Sequence, residues 1–122
     1  MKHKRIGRKF GRVKNKREAF LNILLGNLIE QEKITTTEAR AKEIKRLIDR
    51  VINKAKKAKE DKEKKISIIR ELSKDFSKVV VKKLSGDFID KFNSRKSGYT
   101  RVIKIDRRKS DGVRMAVIEF VD

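Results

Sequence analysis

The chain has 122 residues, with 36 Lys and Arg against 17 Asp and Glu, a formal net charge of +19, 43% charged and 37% hydrophobic residues. That length allows one domain with a modest core. With no Cys and no Pro, disulfides, thiolate metal ligands, thiol chemistry and Pro-rich linkers are excluded; no stretch approaches the ~18 apolar residues of a membrane span, and no apolar run follows the basic start as in a secretory signal, so the expected compartment is the cytoplasm.

The first segment, MKHKRIGRKFGRVKNKR, carries nine Lys or Arg in seventeen residues and no acid. Its three separated apolar residues, Ile6, Phe10 and Val13, cannot offset the entropy of ordering it alone. It lacks the Ser of a transit peptide. Residues 1–17 therefore read as a basic extension that orders on a polyanion.

Residues 18–31 place Phe20, Ile23, Leu24, Leu28 and Ile29 near a helical stripe, with Asn15 as cap and Glu18 in the capping-box position. Lys33–Thr36 is short and β-branched, a brief strand. Thr35 and Glu38 form an S/T-x-x-E helix start. Ile44, Leu47, Ile48, Val51, Ile52 and Ala55 then follow helical spacing, with Lys and Arg on the other face. The charged run 56–65 reads as a helix end, a turn and the next start. Ile66, Ile69, Leu72 and Phe76 mark a third helix. Val79, Val80, Val81 and Leu84 suit a strand by type but a helix by spacing, and the helix is preferred. Ser85-Gly86 ends it, and Asp87 caps a short turn with Phe88, Ile89 and Phe92.

After Gly98 the pattern alternates. YTRVIKI and VRMAVIEFV flank DRRKSDG, whose Asp111-Gly112 is a strong turn signal. This predicts a hairpin with a basic loop, Ala116, Ile118 and Phe120 facing the core opposite Ile103 and Ile105. The fold class is α+β: helices packed on one face of a small mixed sheet with a C-terminal antiparallel hairpin, preceded by the basic extension, with residues 18–122 as one domain.

Catalytic sets are missing. The one His, His3, has no orienting carboxylate nearby in sequence. GRKFG at 7–11 lacks the phosphate-loop spacing and follows no strand. No metal-ligand spacing occurs, and Glu60, Asp61 and Glu63 read as helical ion pairs. Binding is what remains, since Lys and Arg neutralise phosphates without sequence choice. Candidate contacts are Lys2, His3, Lys4, Arg5, Arg8, Lys9, Arg12, Lys14, Lys16 and Arg17 in the extension. Arg95, Lys96, Tyr99 and Arg101 flank Gly98, and Arg107, Arg108 and Lys109 lie in the hairpin loop. Tyr99 has two readings, a ring that stacks on a base and a ring that anchors the hairpin to the core.

Four motifs carry a resemblance: MKHKRIGRKFGR; REAFLNILLGNLIEQEKITTTEARAKEIKRLID; SGYTRVIKI; and MAVIEFVD. In that order and spacing they resemble the family of the seventeenth protein of the bacterial large ribosomal subunit, nearly end to end. The chain departs from that pattern at Lys16, where the family usually has His, at Ser97, often Gly, and at GVR before the last strand, commonly Pro. The resemblance implies a non-enzymatic ribosomal protein of the cytoplasm, without cofactor, membrane or small-molecule substrate. It implies binding to large-subunit ribosomal RNA near the polypeptide tunnel exit, beside neighbouring large-subunit proteins. A competing class is a nucleoid protein that binds DNA by charge; a membrane-surface role is weaker, since the apolar stripes are needed for a core.

Overall fold

The structure is a computed structural model and describes residues 13–121. Its order is α1 (Lys14–Gln31), β1 (Lys33–Thr37), α2 (Glu38–Glu60), α3 (Lys62–Asp75), α4 (Lys78–Leu84), a 3₁₀ helix (Asp87–Phe92), β2 (Thr100–Ile105) and β3 (Met115–Phe120). Helices cover one face of a three-stranded sheet ordered β1-β3-β2. The α+β class holds, while the sheet is antiparallel throughout rather than mixed. The central strand is β3, and both outer strands run against it.

α2 is the organising element. Its buried stripe is Ala41, Ile44, Ile48, Val51, Ile52, Ala55 and Ala58, and each fully buried Ile contributes roughly 1.5–3 kcal/mol of transfer free energy. Its N-cap is Thr37, whose Oγ1 accepts from the Arg40 backbone N–H at 3.3 Å. The cap therefore lies two residues beyond the expected Thr35, because β1 pairs with β3 as far as Thr37↔Met115. Asp61 is extended, ends α2, and starts α3 by accepting from the Glu63 N–H at 3.0 Å. One residue thus makes the turn expected within the charged run.

α1 begins at Lys14 after Val13, with no side-chain cap. Asn15 lies inside the helix, so it is not the cap, and the boundary expected at residue 17 falls within α1. Leu25, Gly26, Leu28 and Ile29 are buried, whereas Ile23 faces outward. In α3 the buried pair is Ile68 and Leu72, with Ile69 and Phe76 packed beside them; Ile66, expected on that face, is exposed. Val80, Val81 and Leu84 are buried at helical spacing in α4, capped by Ser77. Gly86, not Asp87, precedes the 3₁₀ helix, and no side chain caps it.

At one end of the sheet the Phe88, Phe92, Tyr99 and Phe120 rings meet edge-on or tilted at 5.1–5.5 Å. Ala116, Ile118 and Phe120 face the core as expected. Their partners on β2 are Lys104, Val102 and Thr100. Ile103 and Ile105, expected to face the core, lie on the outer face, each 44% exposed. Both parities of β2 carry apolar residues, and the pairing Thr100↔Phe120 decides between them.

Candidate nucleic-acid interface

The expected contacts separate into two patches. Lys2, His3, Lys4, Arg5, Arg8, Lys9 and Arg12 lie outside the described residues. Lys14 and Lys16 are exposed and Arg17 half-buried at the start of α1. The first turn of α1 holds no acid, so these cations sit against the positive end of the helix dipole, an arrangement that an anion relieves.

The Arg40 guanidinium stands 4.9 Å from the centre of the Phe20 ring, which brings the early turns of α1 beside the start of α2. The Glu38 N–H donates to the Arg114 carbonyl at 2.9 Å, which joins the start of α2 to the base of the hairpin loop. Lys14, Lys16, Arg17, Arg107, Arg108 and Lys109 therefore belong to segments at the same end of the molecule. A shallow depression there is lined by Thr37, Arg40, Lys42, Arg108, Val113 and Arg114. Glu38 lies within it, 2.8 Å from the Lys42 ammonium and 3.6 Å from that of Lys104. The hydrogen bond from Lys42 holds the Glu38 carboxyl below its usual range, against the cost of its desolvation.

The loop is closed by hydrogen bonds of its own. Gly112 has φ +70, the left-handed region that favours glycine. Its N–H donates to the Arg108 carbonyl, and the Arg108 N–H to the Val113 carbonyl, both at 2.8 Å. The Arg108 guanidinium grips Asp111 through Nε at 3.0 Å and Nη2 at 2.6 Å. That contact lowers the Asp111 pKa and raises that of Arg108. Arg107 and Lys109 are exposed, with no hydrogen bond or ion pair among the described residues.

The second patch is Arg95 and Lys96, exposed on the segment before β2. β2 spans six residues, so about 20 Å separates its two ends and hence the two patches. The segment is pinned to α2. Asp49 accepts from the backbone N–H groups of Gly98 and Tyr99 at 3.2 and 3.3 Å. Lys56 Nζ donates to the Phe92 carbonyl at 3.0 Å, to the Arg95 carbonyl, and to the Tyr99 hydroxyl at 3.3 Å. Tyr99 is fully buried, and its hydroxyl donates to Asn53 Oδ1 at 2.5 Å. Its ring is the anchor of the hairpin and cannot stack on a base in this fold. Arg101 lies on the outer sheet face, its Nε 2.9 Å from Glu119 Oε1.

Sequence reading missed Arg40, Lys42, Lys104 and Arg114. They come from distant segments, and only the junction of α2 with the hairpin loop assembles them. Among the described residues no His, Cys, Asp or Glu cluster could hold a metal ion, and no helix is long and apolar enough to cross a membrane.

Residues 20–121 match the family described as Ribosomal protein L17. A large ribosomal subunit protein bL17 of Thermodesulfovibrio yellowstonii is 41% identical over 122 residues, covering all of this chain and 88% of the relative. One from Chloroherpeton thalassium is 40% identical, over all of this chain and 69% of the relative. One from Nautilia profundicola is 38% identical, over 99% and 98%. A match across nearly the whole folded body, with relatives 38–41% identical along the chain, places this protein in the ribosomal protein L17 family.

Proposed function

We propose that this structural constituent of the large ribosomal subunit binds large-subunit ribosomal RNA near the polypeptide tunnel exit, through the basic end formed by α1, α2 and the hairpin loop. The carrying observation is convergence: cations from three distant segments meet at one end of the body, around residues 14–17, 40–42 and 107–114. The basic residues 2–12 are joined in sequence to that same end. Residues 1–12 serve as an RNA-binding extension, and the folded body fixes where it leaves. The mechanism is electrostatic: Lys and Arg neutralise the phosphates of RNA segments that would otherwise repel. Arg95 and Lys96 supply a second contact about 20 Å away, which lets the body bridge two RNA segments. Family resemblance supports the location at the tunnel exit.

The test is binding of the full chain to a large-subunit rRNA fragment across a salt series. Arg107→Ala combined with Lys109→Ala removes two cations without disturbing the Arg108–Asp111 clasp. The slope of log affinity against log salt should become shallower by about 1.5, since each phosphate contact contributes roughly 0.7–0.9. An unchanged slope sinks the placement of the interface at this loop. Equal competition by duplex DNA would favour the charge-driven DNA-binding reading. Protection of rRNA bases around the tunnel exit by the wild-type chain, in intact subunits, tests the location.

A further inference from the structure

The outer face of the sheet carries a compact apolar block that no described element covers. Register pairs Ile103 with Val117 and Ile105 with Met115. These four side chains stand as two adjacent cross-strand pairs, bordered on β1 by Thr35 opposite Val117. Ile103 and Ile105 are each 44% exposed. A solvated antiparallel face ordinarily alternates polar residues outward, and here the outward positions of the two paired strands are apolar at four consecutive sites. The rim is mostly cationic. Lys33 and Arg101 stand at one end, and Arg107 follows β2 at the other. The nearby carboxylates are Asp106 and Glu119, and Glu119 is taken by Arg101.

We propose that this face docks another protein, through an apolar segment flanked by carboxylates. Two other occupants fit poorly. A second copy would bring two like rims together on chains of formal charge +19, which repel. RNA bases need rings or free guanidinium planes to stack on; the block has no ring, and its guanidinium, Arg101, is held by Glu119. Size explains the carboxylates. Four aliphatic side chains cannot supply the ~800 Å² per partner of a standard interface. The cationic rim must therefore be covered too, and acidic groups complement it. The proposal does not depend on which particle the chain belongs to.

The experiment uses the full chain in the particle with which it sediments, against the purified chain alone. Hydroxyl-radical labelling reads Met115, Ile103 and Ile105, and a carbodiimide couples Lys33 to any adjacent carboxylate. The expected result is a several-fold drop in labelling of all three residues in the particle. It should persist after ribonuclease treatment, with coupling of Lys33 to a different polypeptide. Labelling equal to that of the free chain overturns the proposal. So does protection lost with ribonuclease, or coupling confined to this chain. Ile103→Thr with Ile105→Thr keeps β-branched residues on an exposed face; it should leave the unfolding midpoint nearly unchanged and abolish the coupling. The gradient position of the particle separately decides the ribosomal reading.

Discussion

Replacing Tyr99 separates an anchoring ring from a base-stacking one. Tyr99→Phe removes one hydroxyl. Lys56 keeps two carbonyl acceptors, from Phe92 and Arg95, and exposed Asn53 can turn to water. The expected loss of folding stability is therefore that of one ordinary hydrogen bond, about 1 kcal/mol. Tyr99→Ala also removes a fully buried ring that meets Phe92 at 5.4 Å. Aromatic-to-alanine changes in cores cost about 3–5 kcal/mol, a large part of the 5–15 kcal/mol typical of a whole domain. Urea unfolding followed by far-UV circular dichroism measures both. RNA affinity of Tyr99→Phe, taken where both proteins are folded, should match wild type in value and in salt slope. A Tyr99→Ala chain within about 1 kcal/mol of wild type, yet several-fold weaker on RNA, would refute the anchoring argument and restore base stacking.

Thr100 tests the opposite sign. Its hydroxyl is buried with no hydrogen-bond partner among the described residues, so Thr100→Val should raise stability by about 1 kcal/mol in the same urea assay; a loss would mean that the hydroxyl is satisfied. Thr37→Ala should cost about 1 kcal/mol as loss of a helix cap, while Thr35→Ala, on the exposed sheet face, should cost clearly less; the reverse order would return the cap to Thr35. For acid stability, Lys91 and then Lys83 hold the Glu32 carboxyl low, Lys42 that of Glu38, Lys54 that of Glu71 and Arg108 that of Asp111. A depressed folded pKa adds stability that is full above the ordinary carboxylate range of about 4–4.5 and lost as pH falls through the lowered values. The urea midpoint should therefore hold steady near neutrality and decline through acid pH, and Glu32→Gln should reduce that decline; a midpoint that rises on acidification would contradict the sign.

Legibility followed redundancy. α2 was readable because a long apolar stripe, a polar opposite face and a basic last turn all agree. The hairpin was readable because Asp111-Gly112 supplies the left-handed residue its loop needs. The cap of α2 was not, because three consecutive threonines each fit it and only strand pairing with β3 selects Thr37. Ile103 and Ile105 were assigned to the wrong face because their parity is the more apolar one. What decides is Phe120, whose ring belongs to the aromatic cluster and whose partner is Thr100. Tyr99 was undecidable locally, since its burial depends on Asp49, Asn53 and Lys56, some fifty residues earlier. Arg114 and Arg40 were invisible as neighbours for the same reason.

The acids explain how so basic a chain holds its helices together and still offers cations. Glu32 bridges Lys83 at 3.0 Å and Lys91 at 2.7 Å, tying the end of α1 to α4 and the 3₁₀ helix. Glu71 reaches Lys54 and joins α3 to α2; Asp90 reaches Lys59 and joins the 3₁₀ helix to α2. Asp49 accepts from the backbone N–H groups of Gly98 and Tyr99, and Lys96 is exposed. In the hairpin loop the division falls between adjacent residues. Arg108 holds Asp111, whose Oδ1 also accepts from the Val113 N–H at 3.2 Å, so this arginine shapes the loop. Arg107 and Lys109, on either side of it, are the cations that the loop displays. Exposed ion pairs are individually weak, with a median near 0–1 kcal/mol, so a phosphate could draw Arg101 or Arg108 from its partner. Doing so at Arg108 would also loosen the turn that presents its neighbours. The sequence order Arg107-Arg108-Lys109 therefore hides three like charges with unlike work: one is committed inward, and two are held out by it.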